Sequence, residues 1–513
     1  MVFSRFLFSL SLGFALFAAG SAGAGCAGGQ PVADAGALAK ALRGADGDTV
    51  LALAPGDYGA LSLSGKQAGW KGRVTLCSAD PARPARFSGV ALSNVSNLSF
   101  EDLLFDYVYT SGDTTDGSTP FRVSGGEGIS FLRVHFDGDL ATDGPPEQKG
   151  FPIARGLFVR NARDIRVEDS VFERFYRGAV FNMVDGVIFR GNDVHTIRSD
   201  GLNLVALHGA LIEGNHFHDF ARSLQSKDHS DMIQMWTRST SRPSVDITIR
   251  GNRFNSGSGY YTQSIFLRNE MVDSRGAGRD MWYRNITIED NAIINAQLHG
   301  ITVGEVIGLT IRNNSVLRSR ASAHPQKSGD VTIPRISVKP RAEQVTIAGN
   351  VALAVPDGGG QPDWTVQNNI TVQDKTPGQP GYYTKAFVAP PEDSPARFAQ
   401  FQVLPGGILD GAQAGAPMLA YDPTPPQVTP LIRAVPVRGG RSFTFDAGFS
   451  AGPDGPLADQ GATFDWRFSD GATAQGVSVA HQFARGGRQS AILTITSGNR
   501  QVYATQLDII VPN

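Results

Sequence analysis

The segment ARSLQSKDHSD (221–231) brings Lys227, Asp228, His229 and Asp231 close together, immediately before the strand-like run DMIQMWT (231–237). Carboxylates and an imidazole at this spacing are suited to holding a divalent cation or moving a proton, and a nearby lysine can act as a base or meet an anion. Loops carried on a rigid scaffold are where such chemistry concentrates. The alternative is a solvated loop whose charges satisfy one another. Related runs recur at RGAVFNM (177–183), DGLNLVA (200–206), SIFLRNE (264–270), HGITVGE (299–305) and RISVKPR (335–341). Period-two alternation turns Leu202, Leu204, Ile233, Met235, Ile301, Val303, Ile336 and Val338 inward. The residues left for solvent are Asp200, Asn203, Asp231, Gln234, Trp236, Arg268, His299, Arg335 and Lys339. Such a face suits an extended, charged polymer.

Two chemistries compete for it. β-Elimination on a uronate needs a cation against the carboxylate and a base within about 3 Å of the C5 proton. Glycoside hydrolysis needs two carboxyls roughly 5–9.5 Å apart, one of them protonated. Asp200 and Asp231 on adjacent coils suit hydrolysis, whereas Arg268, Arg335 and Lys339 suit elimination better and favour an anionic sugar. Asn203, Gln234, Trp236 and Arg335 are the expected sugar contacts, although Trp236 also reads as coil-edge packing. Calcium is the expected cofactor, held by Asp228, His229 and Asp231 with Asp200 one coil away. His216 and His218 in GNHFHDF, with Asp219, read as solvated surface and not as a metal site.

The elements that must position these residues are visible as a repeat. Copies such as DIRVEDSVF (164–172), GVIFRGNDV (186–194), GALIEGNHF (209–217), DITIRGNRF (246–254), NITIEDNAI (285–293), GLTIRNNSV (308–316) and QVTIAGNVA (344–352) share alternating apolar residues followed by a turn and Asn. A strand unit of this kind cannot bury its own apolar face, so the copies must stack into a solenoid, with insertions emerging as loops. The expected fold is all-β: a right-handed parallel β-helix, followed by a small β-sandwich. Stacking puts Asn192, Asn215, Asn252, Asn291, Asn314, Asn350 and Asn369 above one another at about 4.8 Å, as a side-chain ladder and not as catalytic groups. DAGALAKALR (34–43) is expected to be an amphipathic helix capping the open N-terminal end.

The chain has 513 residues and a formal charge of −2, which removes the electrostatic case for a nucleic-acid binder. Residues 1–24 have the form of a secretory signal peptide, with Arg5, an apolar run and a small-residue end at Ala22-Gly23-Ala24. No stretch reaches the roughly 20 apolar residues of a membrane span. A secreted or periplasmic monomer is expected, in whose oxidising compartment Cys26 and Cys77 can pair. The expected division is a leader over 1–24, the β-helix over 25–372, a Pro/Gly-rich linker or wrapping segment over 373–427, and the sandwich over 428–513.

Three resemblances add to this reading. FDWRFSDG (464–471) and His481-Gln482-Phe483 resemble the signature of PKD (polycystic kidney disease) domains, which implies an accessory extracellular module. GDTVLALAPGDY, KGRVTLCSADPARPARFSG and NLSFEDLLF, over about residues 35–105, resemble the opening of polysaccharide lyases such as chondroitinase B and alginate lyase. That resemblance implies calcium held by paired acids near His229 and Asp231 and an arginine at Arg268; Trp236 stands where a lysine is expected, with Lys227 as its substitute. Ser199-Asp200-Gly201, Ser230-Asp231, Leu298-His299-Gly300 and Arg335…Lys339 resemble, in order, the motifs of polygalacturonases. The expected function is cleavage of an acidic polysaccharide by a lyase. A hydrolase is the alternative, and a non-catalytic glycan-binding or adhesion protein remains open.

Overall fold

The computed structural model describes residues 26–511 except 116, 224, 258–261, 319–332, 389, 391–396, 423–429, 431, 438–440, 449, 453–454 and 499–501. The expected leader lies outside the described residues. No helix among the described residues is long and apolar enough to cross a membrane.

Each copy of the repeat closes one coil, and successive coils stack in three parallel sheets of 13, 11 and 10 strands. One coil runs through Arg177–Asn182, Asp185–Arg190 and Asp193–His195 before the next starts at Leu202–Val205. Register keeps like residues over like: Phe181 pairs with Leu204, Leu204 with Met235, and Met235 with Leu267. Inward residues make one continuous core in which phenylalanines stack between coils, as in Phe136 over Phe172 at 4.3 Å and Phe217 over Phe254 at 5.1 Å.

The ladder asparagines are joined as the spacing requires. Each Nδ2 from Asn192 to Asn350 donates to Oδ1 of the next ladder asparagine at 2.9–3.0 Å. The same Oδ1 accepts the preceding rung's backbone N–H, as in Asn215 to Asn252 at 2.9 Å. The residue before each asparagine is left-handed: Gly191, Gly214, Gly251, Asp290, Asn313, Gly349 and Asn368 have φ between 52° and 65°. Only Gly, Asn and Asp enter that region readily, which is why these residue types precede the ladder in sequence.

The N-terminal end is closed by the helix Ala35–Gly44, capped by Asp34 accepting from the Ala37 N–H at 2.8 Å, with Leu38 and Leu42 buried on the core. Cys26 and Cys77 form a disulfide across a separation of 51 residues. A loop of that length corresponds to about 4 kcal/mol of chain entropy removed from the unfolded state. Reductant is therefore expected to lower the melting temperature of the protein, and an unchanged transition would show the bond to be dispensable.

The described residues of 372–421 pack onto the β-helix. Tyr383, Phe387, Phe401, Leu409 and Leu419 bury themselves against Ile294, Leu317 and Val351 on the outer face of the 11-stranded sheet. Beyond them, a three-stranded and a four-stranded antiparallel sheet enclose Phe445, Phe464, Trp466, Phe468 and Leu493. His481 stacks on Phe468 at 3.8 Å and meets Asp470 through Nε2 at 2.9 Å.

Candidate functional site

Register on the 10-stranded sheet brings one residue from each of seven successive coils into a single column. Arg155 is paired with Arg177, Asp231 with Gln263, and His299 with Arg335. The pairings Ala179–Leu202 and Leu202–Ile233 set Arg177, Asp200 and Asp231 in the same line. The column thus runs Arg155, Arg177, Asp200, Asp231, Gln263, His299, Arg335, with acids in the middle and guanidinium groups at both ends. Glycines beside it permit the tight stacking: a Cβ on Gly178 would lie 2.5 Å from the Gly201 carbonyl oxygen, and one on Gly201 would lie 2.6 Å from that of Met232.

Asp200, Asn203 and Asp231 were expected to face solvent. Instead they are 2%, 0% and 0% exposed. The insertion before Asp231 is drawn onto the scaffold, because Asp228 accepts hydrogen bonds from Arg198 Nη2 at 2.9 Å and Tyr176 Oη at 3.2 Å. Asp228 is thereby committed to anchoring and does not join Asp231. His229, Asp231 and Asp200 do converge, with one ligand atom from each lying within 4.8 Å of the others. His229 Nδ1 is 3.0 Å from Asp231 Oδ2, which also accepts from Gln234 Nε2 at 2.7 Å. Asp200 Oδ2 accepts from Asn203 Nδ2 at 3.1 Å and pairs with Arg177 Nε at 3.2 Å. The Arg177 guanidinium also lies 5.4 Å from the centroid of the Tyr176 ring and 5.5 Å from that of Trp236.

Burial, aided by the Asp200 charge, pushes the Asp231 carboxyl up to about 6 against the hydrogen bonds from His229 and Gln234. The hydrogen bond to Asp231 raises His229. His299 packs its ring on Phe266 at 4.4 Å and is pushed down to about 4 by burial and by the charge of His229. Its Nδ1 meets Thr302 Oγ1 at 2.7 Å. His229, beside the acid pair, and His299, two coils further along the column, are therefore biased toward opposite protonation states.

Buried oxygens at this place have no hydrogen-bond partner: Asp200 Oδ1, Asp231 Oδ1, Asn203 Oδ1 and Gln263 Oε1. A buried oxygen left unpaired is destabilising by roughly 1–3 kcal/mol, so four of them in neighbouring coils require an explanation. Calcium takes six to eight oxygen ligands, and an all-oxygen set with two carboxylates fits such a hard cation.

The remaining expected residues lie elsewhere on the sheet. Arg268 and Lys339 each approach Asp273 of the short helix Glu270–Asp273 at 3.5 Å. They follow the ends of their strands, whereas Asp231 is near the start of Ser230–Trp236. Five residues of extended chain are roughly 16 Å, so these two cations do not reach the acid pair. Trp236 is half-buried, and Lys227 and Arg335 are exposed. Arg177, Tyr176, Arg198 and Gln263 were not singled out from sequence. Aligning RGAVF (177–181) under DGLNL (200–204) would have exposed Arg177, since both place a polar residue before a glycine at the strand start.

Residues 424–511 match the PKD domain family. No curated protein matches the chain. Among solved structures it is similar to the pectate lyase Pel9A, with 14% identity over 72% of this chain and 84% of that one and a TM-score of 0.38. It is similar to the A-module of the Azotobacter vinelandii mannuronan C-5 epimerase AlgE4, with 14% identity over 68% of this chain and 96% of that one and a TM-score of 0.36. The PL6 family alginate lyase AlyGC is similar at 15% identity over 78% of this chain and 60% of that one, with a TM-score of 0.38. The chain is a parallel β-helix protein that carries a C-terminal PKD domain.

Proposed function

We propose that this protein is an enzyme that cleaves an acidic, uronate-containing polysaccharide by β-elimination on the face of the 10-stranded sheet. The observation that supports this reading is the polar column: a buried acid pair with unpartnered oxygens, set between arginines. Coils recur at about 4.8 Å, so a polymer laid along the axis meets a new set of side chains on every coil. Arg177 and Arg335 attract its carboxylates, while Gln234 and Trp236 contact the sugars; Asn203, fully buried, cannot reach them.

Elimination moves the C5 proton to a base, forms the C4–C5 double bond, and breaks the C4–O bond, whose oxygen must then receive a proton. In this reading His299 is the base, because its imidazole is neutral near pH 7 and Nδ1 is fixed by Thr302. His229, whose charged form Asp231 favours, returns a proton to the leaving oxygen. Lys227, exposed on the same loop, is the alternative base. Asp200, Asp231 and the amide oxygens of Asn203 and Gln263 would hold calcium, which when bound neutralises the uronate carboxylate and acidifies the C5 proton. Arg268 and Lys339 bind the polymer at the far edge of the sheet.

A hydrolase is the second reading, favoured by the raised Asp231, which stays protonated to about pH 6 beside a second carboxyl. One oxygen of each acid lies within 4.8 Å of the other, which is too close for the roughly 6.5–9.5 Å of an inverting enzyme and nearer the roughly 5–5.5 Å of a retaining one.

The test is incubation with polygalacturonate, alginate and glycosaminoglycans. At least one is expected to yield the ultraviolet absorbance of an unsaturated uronate, and chelator is expected to abolish it. New reducing ends without that absorbance would replace elimination by hydrolysis. No cleavage of any polymer would leave a glycan-binding protein.

A further inference from the structure

On the 11-stranded sheet, away from the column, Asp193, His195, His216 and His218 occupy adjacent coils, with Asp193 paired to His216 and His195 to His218. Two residues apart on one strand, His216 and His218 project to the same side, and their rings stack at 4.1 Å. Their nitrogens turn toward one oxygen: Asp193 Oδ1 is 2.7 Å from His218 Nε2 and 3.8 Å from His216 Nδ1. One ligand atom from each of the three residues lies within 4.8 Å of the others. Tetrahedral zinc with ligands at about 2.0–2.1 Å needs donor atoms a little over 3 Å apart, so the two measured separations bracket the required value.

A second, independent feature points the same way. The other nitrogen of His218, Nδ1, meets Asp219 Oδ2 at 2.7 Å. With a metal on the Nε2 side, where His218 now meets Asp193, this contact would be the outer carboxylate that fixes the ring orientation of a ligating histidine. The neighbouring group of His135, Asp137 and Glu173 serves as an internal contrast. There Arg174, 8% exposed, already pairs with both Asp137 and Glu173, and the guanidinium occupies the place of a cation. Among the described residues no arginine or lysine pairs with Asp193 or Asp219. The side chains of Asp193, His216 and His218 are 32%, 40% and 21% exposed, which leaves an entry path and room for a water as fourth ligand. Arg253 stands one coil beyond His216, and Phe398 of the wrapping segment lies edge-on to the His216 ring at 6.1 Å.

The geometry points to a zinc-class transition-metal site formed by Asp193, His216 and His218, with Asp219 as the positioning residue. Two imidazoles and one carboxylate prefer zinc, copper or nickel to calcium, which distinguishes this site from the all-oxygen set of the column. The inference does not depend on the activity of the enzyme. The sequence reading took His216 and His218 as solvated surface; in the structure both approach Asp193 and remain partly exposed.

The test is metal binding by the full chain, stripped with chelator and titrated with zinc chloride in excess calcium. One equivalent is expected to bind, raising the melting temperature, and cobalt in its place is expected to show tetrahedral visible absorption. His216→Gln should abolish this binding, Asp219→Asn should weaken it about 10–100-fold, and Asp231→Asn, in the column, should leave it intact. Circular dichroism of His216→Gln checks that loss of metal is not loss of fold. Absence of zinc binding, or binding that survives His216→Gln, would overturn the site and leave a histidine–carboxylate ion-pair network. Loss of binding in Asp231→Asn alone would also overturn it, by assigning the ion to His229 and the column.

Discussion

Asp231→Asn is expected to lower turnover at least about a hundredfold, the scale on which a general acid or base, or a charge essential to the transition state, is lost. In chelator above about pH 7, the same variant is expected to be more stable than the parent. Asp231 is fully buried, and burial together with the Asp200 charge pushes its carboxyl up to about 6. The folded state therefore binds this proton more tightly than the unfolded chain does. That contribution to stability is fully present below about pH 4 and is lost as pH rises through about 6. At pH 8 the parent carries an ionised, buried carboxylate, a penalty of about 3 kcal/mol that a neutral amide removes. An amide nitrogen at the unpartnered Oδ1 position also gains a donor beside Asp200. Urea denaturation at pH 4 and pH 8 checks both limits, since the gain should vanish at the lower pH. Near-parental turnover on a cleaved substrate would mean that the reactive groove is elsewhere. Destabilisation at pH 8 would mean that Asp231 serves as a structural ion partner.

Asn252→Ala is expected to destabilise the β-helix by about 3–5 kcal/mol, the largest single stability effect foreseen. Asn252 Oδ1 accepts from both the backbone N–H and Nδ2 of Asn215 at 2.9 Å. Its own Nδ2 donates to the Ile212 carbonyl at 3.0 Å and to Asn291 Oδ1 at 2.9 Å. Alanine leaves two buried donors and part of two acceptors unsatisfied, each worth roughly 1–3 kcal/mol, with some relaxation expected. Asn369, at the last rung and partly exposed, accepts from Asn350 but donates to no further asparagine. Water can replace part of what it loses, so Asn369→Ala should cost about 1 kcal/mol. Equal effects at the two positions, measured by chemical denaturation, would show that the ladder is incidental to stability.

The ladder and the column differ in how far they were legible before folding. Gly-Asn, Asp-Asn and Asn-Asn recur because a left-handed residue must precede each rung, and that requirement is local. His299 and Arg335, or Asp200 and Asp231, share a column because period-two strands in register place equivalent residues over one another, which also follows from the repeat. The exposure of Asp200 and Asp231 was misjudged because it depends on where an insertion travels after leaving its coil. Asp228 decides that path by bonding Arg198 and Tyr176, more than twenty positions earlier in the chain. Arg268 and Lys339 were drawn to the acids by motif order, yet they sit at the far edge of the sheet and share Asp273.

By itself the sequence determined the all-β solenoid, its inward face, the asparagine ladder and the C-terminal PKD domain. Each of these rests on residue spacing within one coil or on a contiguous motif. Tertiary structure alone decided which charges meet: Arg177 with Asp200, His229 with Asp231, and Asp193 with His216 and His218. Electrostatic environment depends on distances of a few ångströms between coils and on which side chains an insertion covers, and insertions of unequal length leave no periodic trace of either.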